Sequence, residues 1–132
     1  MPVVLQTTLS LAAAAAIINL WLTIRIGRLR AKTQILHGDG GNEALIRRMR
    51  AQSNFVENVP LVLILIGAIE VTGKGGQWLA IVGAVFMLAR VLHPIGMDNP
   101  KVNALRGAGA GLTMLTQLGL AIVAVLAALG KF

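Results

Sequence analysis

Four long apolar segments, separated by short polar connections, set the pattern of this chain. The first extends to Ile24 without a charged side chain and ends in a run of basic residues. The fourth, residues 107–130, also carries no charge. Because a helix needs about 20 mostly apolar residues to cross a bilayer, both outer segments predict transmembrane helices.

The two inner apolar segments, residues 58–69 and 75–89, are too short to span on their own. A glycine-rich turn at 72–76 joins them, so we extend both helices into their polar flanks. The sequence therefore predicts an all-α, integral membrane four-helix bundle, a single domain over residues 1–132. The expected helices cover about 3–32, 44–72, 77–97 and 103–130.

Composition supports a membrane protein and narrows its chemistry. Apolar residues make up 56% of the chain and charged residues 13%, more apolar surface than a soluble domain of this size hides. Without cysteine there is no disulfide, thiolate metal site or protein thiol nucleophile, and we expect no metal. The net charge of +7 is concentrated in the connections, as membrane topology requires, so we expect no nucleic-acid partner.

The basic residues also predict the orientation in the membrane. Ten of the 12 lysines and arginines lie at one end of the bundle, here called the basic end. By the positive-inside rule the two longer connections are cytoplasmic and both termini lie outside. We expect the bacterial inner membrane. The ten residues are Arg25, Arg28, Arg30, Lys32, Arg47, Arg48, Arg50, Arg90, Lys101 and Arg106.

Polar side chains are grouped on the faces of the inner helices. Arg50, Asn54 and Glu57 follow i, i+4, i+7 spacing and so share one face of the second helix. Arg90 and His93 share a face of the third helix, which runs antiparallel, so both groups lie at one depth. An ionisable group at membrane depth costs about 2.5–3.5 kcal/mol, and these are expected to face the bundle interior or a neighbouring subunit.

The first and fourth helices add arginines at the same end, Arg28 and Arg106. The predicted site offers several cations, one carboxylate, one amide and one imidazole. Arginine binds carboxylates bidentately, and a guanidinium beside a bound thiol favours its thiolate. The chemistry suits a small acidic peptide that carries an amine, for Glu57 to bind, and a thiol.

Structural interpretations of the same residues stay open. The arginines at 25–32 and 47–50 also serve as topology signals. Glu57 and Arg90 are candidates for a structural ion pair between helices, and His93 before Pro94 is a candidate helix end. Glu70 is interpreted as interfacial and inert. The glycines of the fourth helix are typical of close helix packing: Gly107, Gly109 and Gly111.

The segment Arg50–Pro60 resembles the RAxxNxxExxP signature of the MAPEG family, membrane-associated proteins of eicosanoid and glutathione metabolism. That family includes microsomal glutathione transferases and the leukotriene and prostaglandin E synthases. Residues 28–30, 37–41 and 88–93 are similar to the family pattern as well. The resemblance extends over nearly the whole chain.

The resemblance implies a homotrimer with glutathione bound between adjacent subunits at the cytoplasmic end. Arg50, Asn54 and Glu57 would hold the glutathione backbone, and Arg28 and His93 would contribute to the same site. By the same resemblance, Arg106 would be catalytic, stabilising the thiolate, while Arg90 would be structural and Asp39 would lie near the thiol.

The chain departs from the family pattern in having no tyrosine. Met97 and Asn58 stand where aromatic residues are common in the family. The leading hypothesis is a glutathione-dependent transferase or peroxidase, conjugating or reducing lipophilic electrophiles that arrive through membrane lipid, as in detoxification. The alternatives are a non-catalytic binding or scaffold protein of the same fold and, less favoured, a small multidrug transporter. The second substrate is not indicated by the sequence.

Overall fold

The computed structural model describes residues 4–132, which fold into four α-helices joined by short connections. The expected start of the first helix at residue 3 lies outside the described residues. The other helix ends differ from the expected positions by no more than two residues. The helices are α1 (Gln6–Thr33), α2 (Glu43–Val71), α3 (Gln77–Met97) and α4 (Ala104–Ala128).

Two asparagines determine where helices begin at the basic end. The side-chain oxygen of Asn42 accepts a hydrogen bond from the Leu45 amide at 2.9 Å and caps α2. Asn103 caps α4 by accepting from the Arg106 amide at 3.1 Å. Each cap satisfies a helix amide that has no partner within its helix. Both helices therefore have defined starting points close to their arginines.

The four helices pack with α2 and α3 in the middle of the bundle. The most extensive contacts join α3 to α4 and α1 to α2, and within the described chain α1 does not contact α4. The centre of the core is fully buried and apolar, with Val62 and Ile66 of α2 packing near Leu79 and Phe86 of α3. The two central helices and α4 also provide polar residues at the basic end.

All four helices are long and apolar enough to cross a membrane. Large apolar side chains cover their outer faces; Leu115 and Leu118 of α4 are 67% and 62% exposed. Such continuous exposed apolar surface is unfavourable in water and favourable in a bilayer. The outer surface of the bundle therefore faces lipid or another apolar protein surface.

Glu70, near the far end of α2, caps the first turn of α1. Its carboxylate accepts hydrogen bonds from the amides of Thr7 at 2.8 Å and Thr8 at 2.9 Å, and from the Thr8 hydroxyl at 2.7 Å. Because the residue at the N-cap of α1, Leu5, makes no side-chain hydrogen bond, this carboxylate satisfies helix amides and complements the positive end of the helix dipole. Glu70 thus joins two helices, a role that its interpretation as inert missed.

We expect Glu70→Ala to lower the free energy of unfolding by about 1–2 kcal/mol, because the first turn of α1 loses the one side-chain cap that it has within residues 4–132. The measurement is thermal unfolding of the detergent-solubilised protein. Ser10→Ala is the matched control, since the Ser10 hydroxyl donates to the Gln6 carbonyl of its own helix, at 2.8 Å, and makes no hydrogen bond to α2 in the described chain. Equal unfolding midpoints for the two variants would contradict the capping role.

Candidate functional site

A polar cavity of about 360 Å³ opens at the basic end between α2, α3 and α4. Its volume lies within the range of about 300–1,000 Å³ that is typical of small-molecule sites. Polar and apolar residues line it from three helices and the connection between α3 and α4. This basic-end cavity is lined by Glu43, Ile46, Arg47, Arg50, Asn54, His93, Met97, Pro100 and Arg106.

Helix α2 contributes a stripe of four polar residues to the cavity wall. Glu43, Arg47, Arg50 and Asn54 are spaced by four, three and four positions, so they share one helical face. The sequence predicted Arg50 and Asn54 as site residues but not Glu43 and Arg47. The same helical periodicity, extended two turns towards the start of α2, would have included both.

Helix α3 and the start of α4 form the opposite wall. His93 is 5% exposed and Met97 is 9% exposed, and both line the cavity. The Asn103 side chain donates to the Gly96 carbonyl at 2.8 Å while it caps α4, so it joins the end of α3 to the turn that carries Arg106. This contact determines where Arg106 enters the site.

Arg90 lies fully buried beside the cavity, without a carboxylate partner in the described chain. Its guanidinium donates to Asn54 Oδ1 at 2.7 Å and to the Thr113 hydroxyl at 2.9 Å. It also lies 5.9 Å from the ring centroid of Phe55. The ion pair between Arg90 and Glu57 that the sequence left open is therefore not formed within the described chain.

Two predicted site residues lie outside the basic-end cavity of the chain. Glu57 is exposed on α2, and Arg28 is exposed near the end of α1. No described residue of α1 lines the cavity. The structure thus brings together Arg50, Asn54, His93 and Arg106, and it leaves Glu57 and Arg28 on the surface of the bundle.

The connection between α1 and α2 makes its own internal contacts. Arg30 donates to the carbonyls of Gly38 at 2.8 Å and Ile35 at 3.1 Å. Asp39 accepts from the Gly41 amide at 2.8 Å, which closes a tight turn. Neither Arg30 nor Asp39 lines the basic-end cavity.

Asp98 pairs with two arginines that the sequence had interpreted as topology signals. One carboxylate oxygen of Asp98 accepts a hydrogen bond from Arg25, and Arg48 Nε lies 3.7 Å from the other carboxylate oxygen. Arg48 also donates to the Arg25 carbonyl at 2.8 Å. These contacts hold the connection between α3 and α4 against the basic ends of α1 and α2.

The basic-end cavity has a strong excess of hydrogen-bond donors. Arg47, Arg50 and Arg106 supply guanidinium groups, and Glu43 is the one carboxylate among the lining residues of the described chain. Arg47 Nε, Arg90 Nε and His93 Nδ1 are buried and have no hydrogen-bond partner within residues 4–132. Independently of these atoms, three guanidinium groups against one carboxylate suit an anionic ligand rich in oxygen acceptors.

Four membrane-length helices, three of which line this cavity, define an integral membrane helical bundle with a small-molecule-sized polar site at one end. The chain belongs to the MAPEG family, whose family model matches residues 8–126. It is also similar to the inner membrane protein YecN from two strains of Escherichia coli. The identity is 28% over 88 residues, which cover 67% of each chain.

Proposed function

We propose that this protein is a glutathione-dependent transferase or peroxidase that acts on lipophilic electrophiles in the membrane. The observation that carries the proposal is the basic-end cavity, in which Arg47, Arg50 and Arg106 converge with Asn54 and His93 at the end of an apolar bundle. Membership in a family of glutathione metabolism supports this interpretation of the cavity.

The residues of the cavity fit the functional groups of glutathione. Arg47 and Arg50 bind its two carboxylates, for which guanidinium groups are suited by charge and geometry. Glu43 lies on the same stripe and binds the amine. Arg106 begins the opposite wall and stabilises the thiolate, as a cation does for a cysteine thiol.

In the transferase reaction, the sulfur of bound glutathione forms a carbon–sulfur bond as a leaving group departs with the bonding electrons. In the peroxidase reaction, the thiols of bound glutathione and of a second glutathione molecule together reduce a hydroperoxide to an alcohol and water, and the two sulfurs are oxidised to the disulfide. The chain's own contribution is to bind the peptide, orient it and stabilise negative charge on sulfur. The apolar outer surface lets a lipophilic second substrate approach from the bilayer.

We propose a homotrimer, because it would explain why Glu57 and Arg28 are exposed in the single chain. A carboxylate such as that of Glu57 is costly against hydrocarbon, and a neighbouring subunit would cover it. Contact with a second copy would also place residues of α1 beside a cavity that α1 does not otherwise reach. The expected mass in detergent, after subtraction of the detergent, is that of three chains.

The proposed membrane is the bacterial inner membrane, with the basic-end cavity on the cytoplasmic side and both termini outside. The charge distribution supports this orientation. The relative YecN, described as an inner membrane protein, supports the location. Glutathione from the cytoplasm would then reach the cavity directly.

A second candidate function is glutathione binding without catalysis. It is favoured by the set of lining residues, none of which carries a hydroxyl group to hydrogen-bond a thiol beside Arg106. The chain also contains no tyrosine, so no phenol hydroxyl is present to hydrogen-bond the thiol. In this second candidate function, the protein binds glutathione but catalyses no reaction.

Calorimetric titration of the purified protein in detergent with glutathione tests both candidates. We expect saturable binding, together with turnover of chloronitrobenzene or of an organic hydroperoxide. Binding without turnover of either substrate would favour the non-catalytic candidate. If the protein neither binds glutathione nor turns over either substrate, the proposed function is wrong.

A further inference from the structure

The contact between Arg90 and Asn54 determines which way the Asn54 amide faces. A guanidinium has five donors and no acceptor, so the atom 2.7 Å from Arg90 Nη2 must be the amide oxygen. The amide nitrogen of Asn54 therefore points away from Arg90. Because Asn54 lines the basic-end cavity, that nitrogen is the group it offers to a ligand.

We propose that Arg90 is a positioning residue that keeps the Asn54 amide nitrogen directed into the basic-end cavity. Asn54 then acts only as a donor and selects ligands that present a carboxylate oxygen at that point. This inference rests on the proposed function and goes further, because it assigns a ligand preference to a residue that does not line the cavity.

Arg90 is held firmly enough to impose this orientation. It is fully buried, and its second bond goes to Thr113, whose hydroxyl in turn donates to the Gly109 carbonyl at 2.8 Å. The backbone of the next helix thus anchors the arginine. The Asn54 main chain is also fixed, since its carbonyl accepts from the Asn58 side chain at 2.7 Å in addition to lying within α2.

Without Arg90, the Asn54 amide is free to turn and present either its oxygen or its nitrogen. A ligand with acceptor oxygens then loses its preference over a ligand that carries N–H donors at the same positions. The specific readout is therefore a ratio: the Kd of glutathione diamide, with both carboxylates amidated, divided by the Kd of glutathione. A general loss of structure weakens both ligands alike and leaves this ratio unchanged.

Two substitutions change the orientation or the chemistry of Asn54 in different ways. Arg90→Met removes the donor, and we expect it to weaken glutathione binding about tenfold, the worth of one hydrogen bond, and to lower the ratio. Asn54→Asp keeps an acceptor for Arg90 but presents a second acceptor to the cavity. We expect Asn54→Asp to lower the ratio at least as much as Arg90→Met does. Asn54→Asp therefore still tests the inference if Arg90→Met folds too poorly to be measured.

Conservative and control variants separate positioning from packing. Arg90→Lys retains a donor for Asn54 and should restore affinity to within about threefold of the wild type. Thr116→Val is the matched control on α4, because the Thr116 hydroxyl donates to the Leu112 carbonyl of its own helix at 2.7 Å. Its ratio should equal that of the wild type.

The outcomes distinguish this inference from the proposed function. If the wild type binds glutathione but Arg90→Met and Asn54→Asp leave the ratio unchanged, the positioning role is wrong and the proposed function stands. If the wild type binds no glutathione, the proposed function is wrong, and titration with inorganic phosphate decides the inference. Weaker phosphate binding by both variants supports it; equal binding, or none by the wild type, overturns it.

Discussion

Gly109→Ala is expected to destabilise the bundle by about 1–3 kcal/mol, the usual cost of adding volume to a packed interface. A Cβ at this position would lie 2.6 Å from the His93 Cβ and 2.9 Å from the Ala89 carbonyl oxygen. These atoms belong to or adjoin the backbone of α3, so α4 must move away as a unit. The movement would also separate Arg90 from Thr113, which lies one turn beyond Gly109.

Gly107→Ala and Gly111→Ala are the matched controls for this prediction. A Cβ at either position would have no heavy atom within 4 Å, apart from the helix's own neighbouring atoms. Both substitutions should be neutral or stabilising by up to about 1 kcal/mol, because alanine favours the helix over glycine. The measurement is the midpoint of thermal unfolding in detergent. Similar destabilisation by all three substitutions would show that Gly109 has no special packing role.

The comparison of these glycines shows how far the sequence predicts the packing. Small residues at 107, 109 and 111 indicated close helix contact, but only Gly109 meets α3. Alternate positions of a helix point in very different directions, so at most part of the group faces any one neighbour. To predict which of these glycines contacts α3, one must know how α4 is rotated about its axis, and the packing of α4 against α3 determines that rotation.

Local sequence patterns predicted the helices and part of the site. Runs of apolar residues determine the membrane-spanning helices, and helical periodicity placed Arg50 and Asn54 on one face. The structure adds Glu43 and Arg47 to the same face. These residues lie in the polar first turns of α2, where charge is also explained by membrane topology, so their position alone did not mark them as site residues.

Contacts between distant parts of the chain were not predictable from local patterns. The Glu70 carboxylate reaches Thr7 and Thr8, more than 60 residues away in sequence. Asp98 pairs with Arg25 across 73 positions. Both contacts depend on which helix ends lie side by side, and no spacing within one helix carries that information.

The roles predicted for Glu57 and Arg28 show a different limit. Periodicity places Glu57 on a face of α2 close to that of Asn54, but the structure leaves its side chain exposed and outside the cavity. A helical face is a property of one chain, whereas the surface that covers it depends on the assembly. These two residues thus stay predictions whose meaning depends on the proposed trimer.

Arg106→Ala is expected to lower glutathione-dependent turnover of chloronitrobenzene by about 100- to 1,000-fold, as removal of one group that stabilises developing charge does in other enzymes. The loss should be mainly in kcat, with a smaller rise in KM for glutathione. Within the described chain the Arg106 side chain makes no ion pair, and its helix is capped through the main-chain amide. The substitution should therefore leave the fold intact.

The ultraviolet absorption of the bound thiolate gives a readout that is independent of turnover. We expect Arg106→Ala to reduce this signal at neutral pH, and Arg106→Lys to retain part of it, because lysine keeps the charge but not the geometry of the guanidinium. Lys101→Ala is the matched control, since it removes a cation from the exposed connection before α4, outside the cavity. Turnover by Arg106→Ala within twofold of the Lys101→Ala value would exclude Arg106 as the group that stabilises the thiolate. In that case, glutathione binding by the same variant would still establish whether the basic-end cavity is the binding site, because its other arginines on α2 remain.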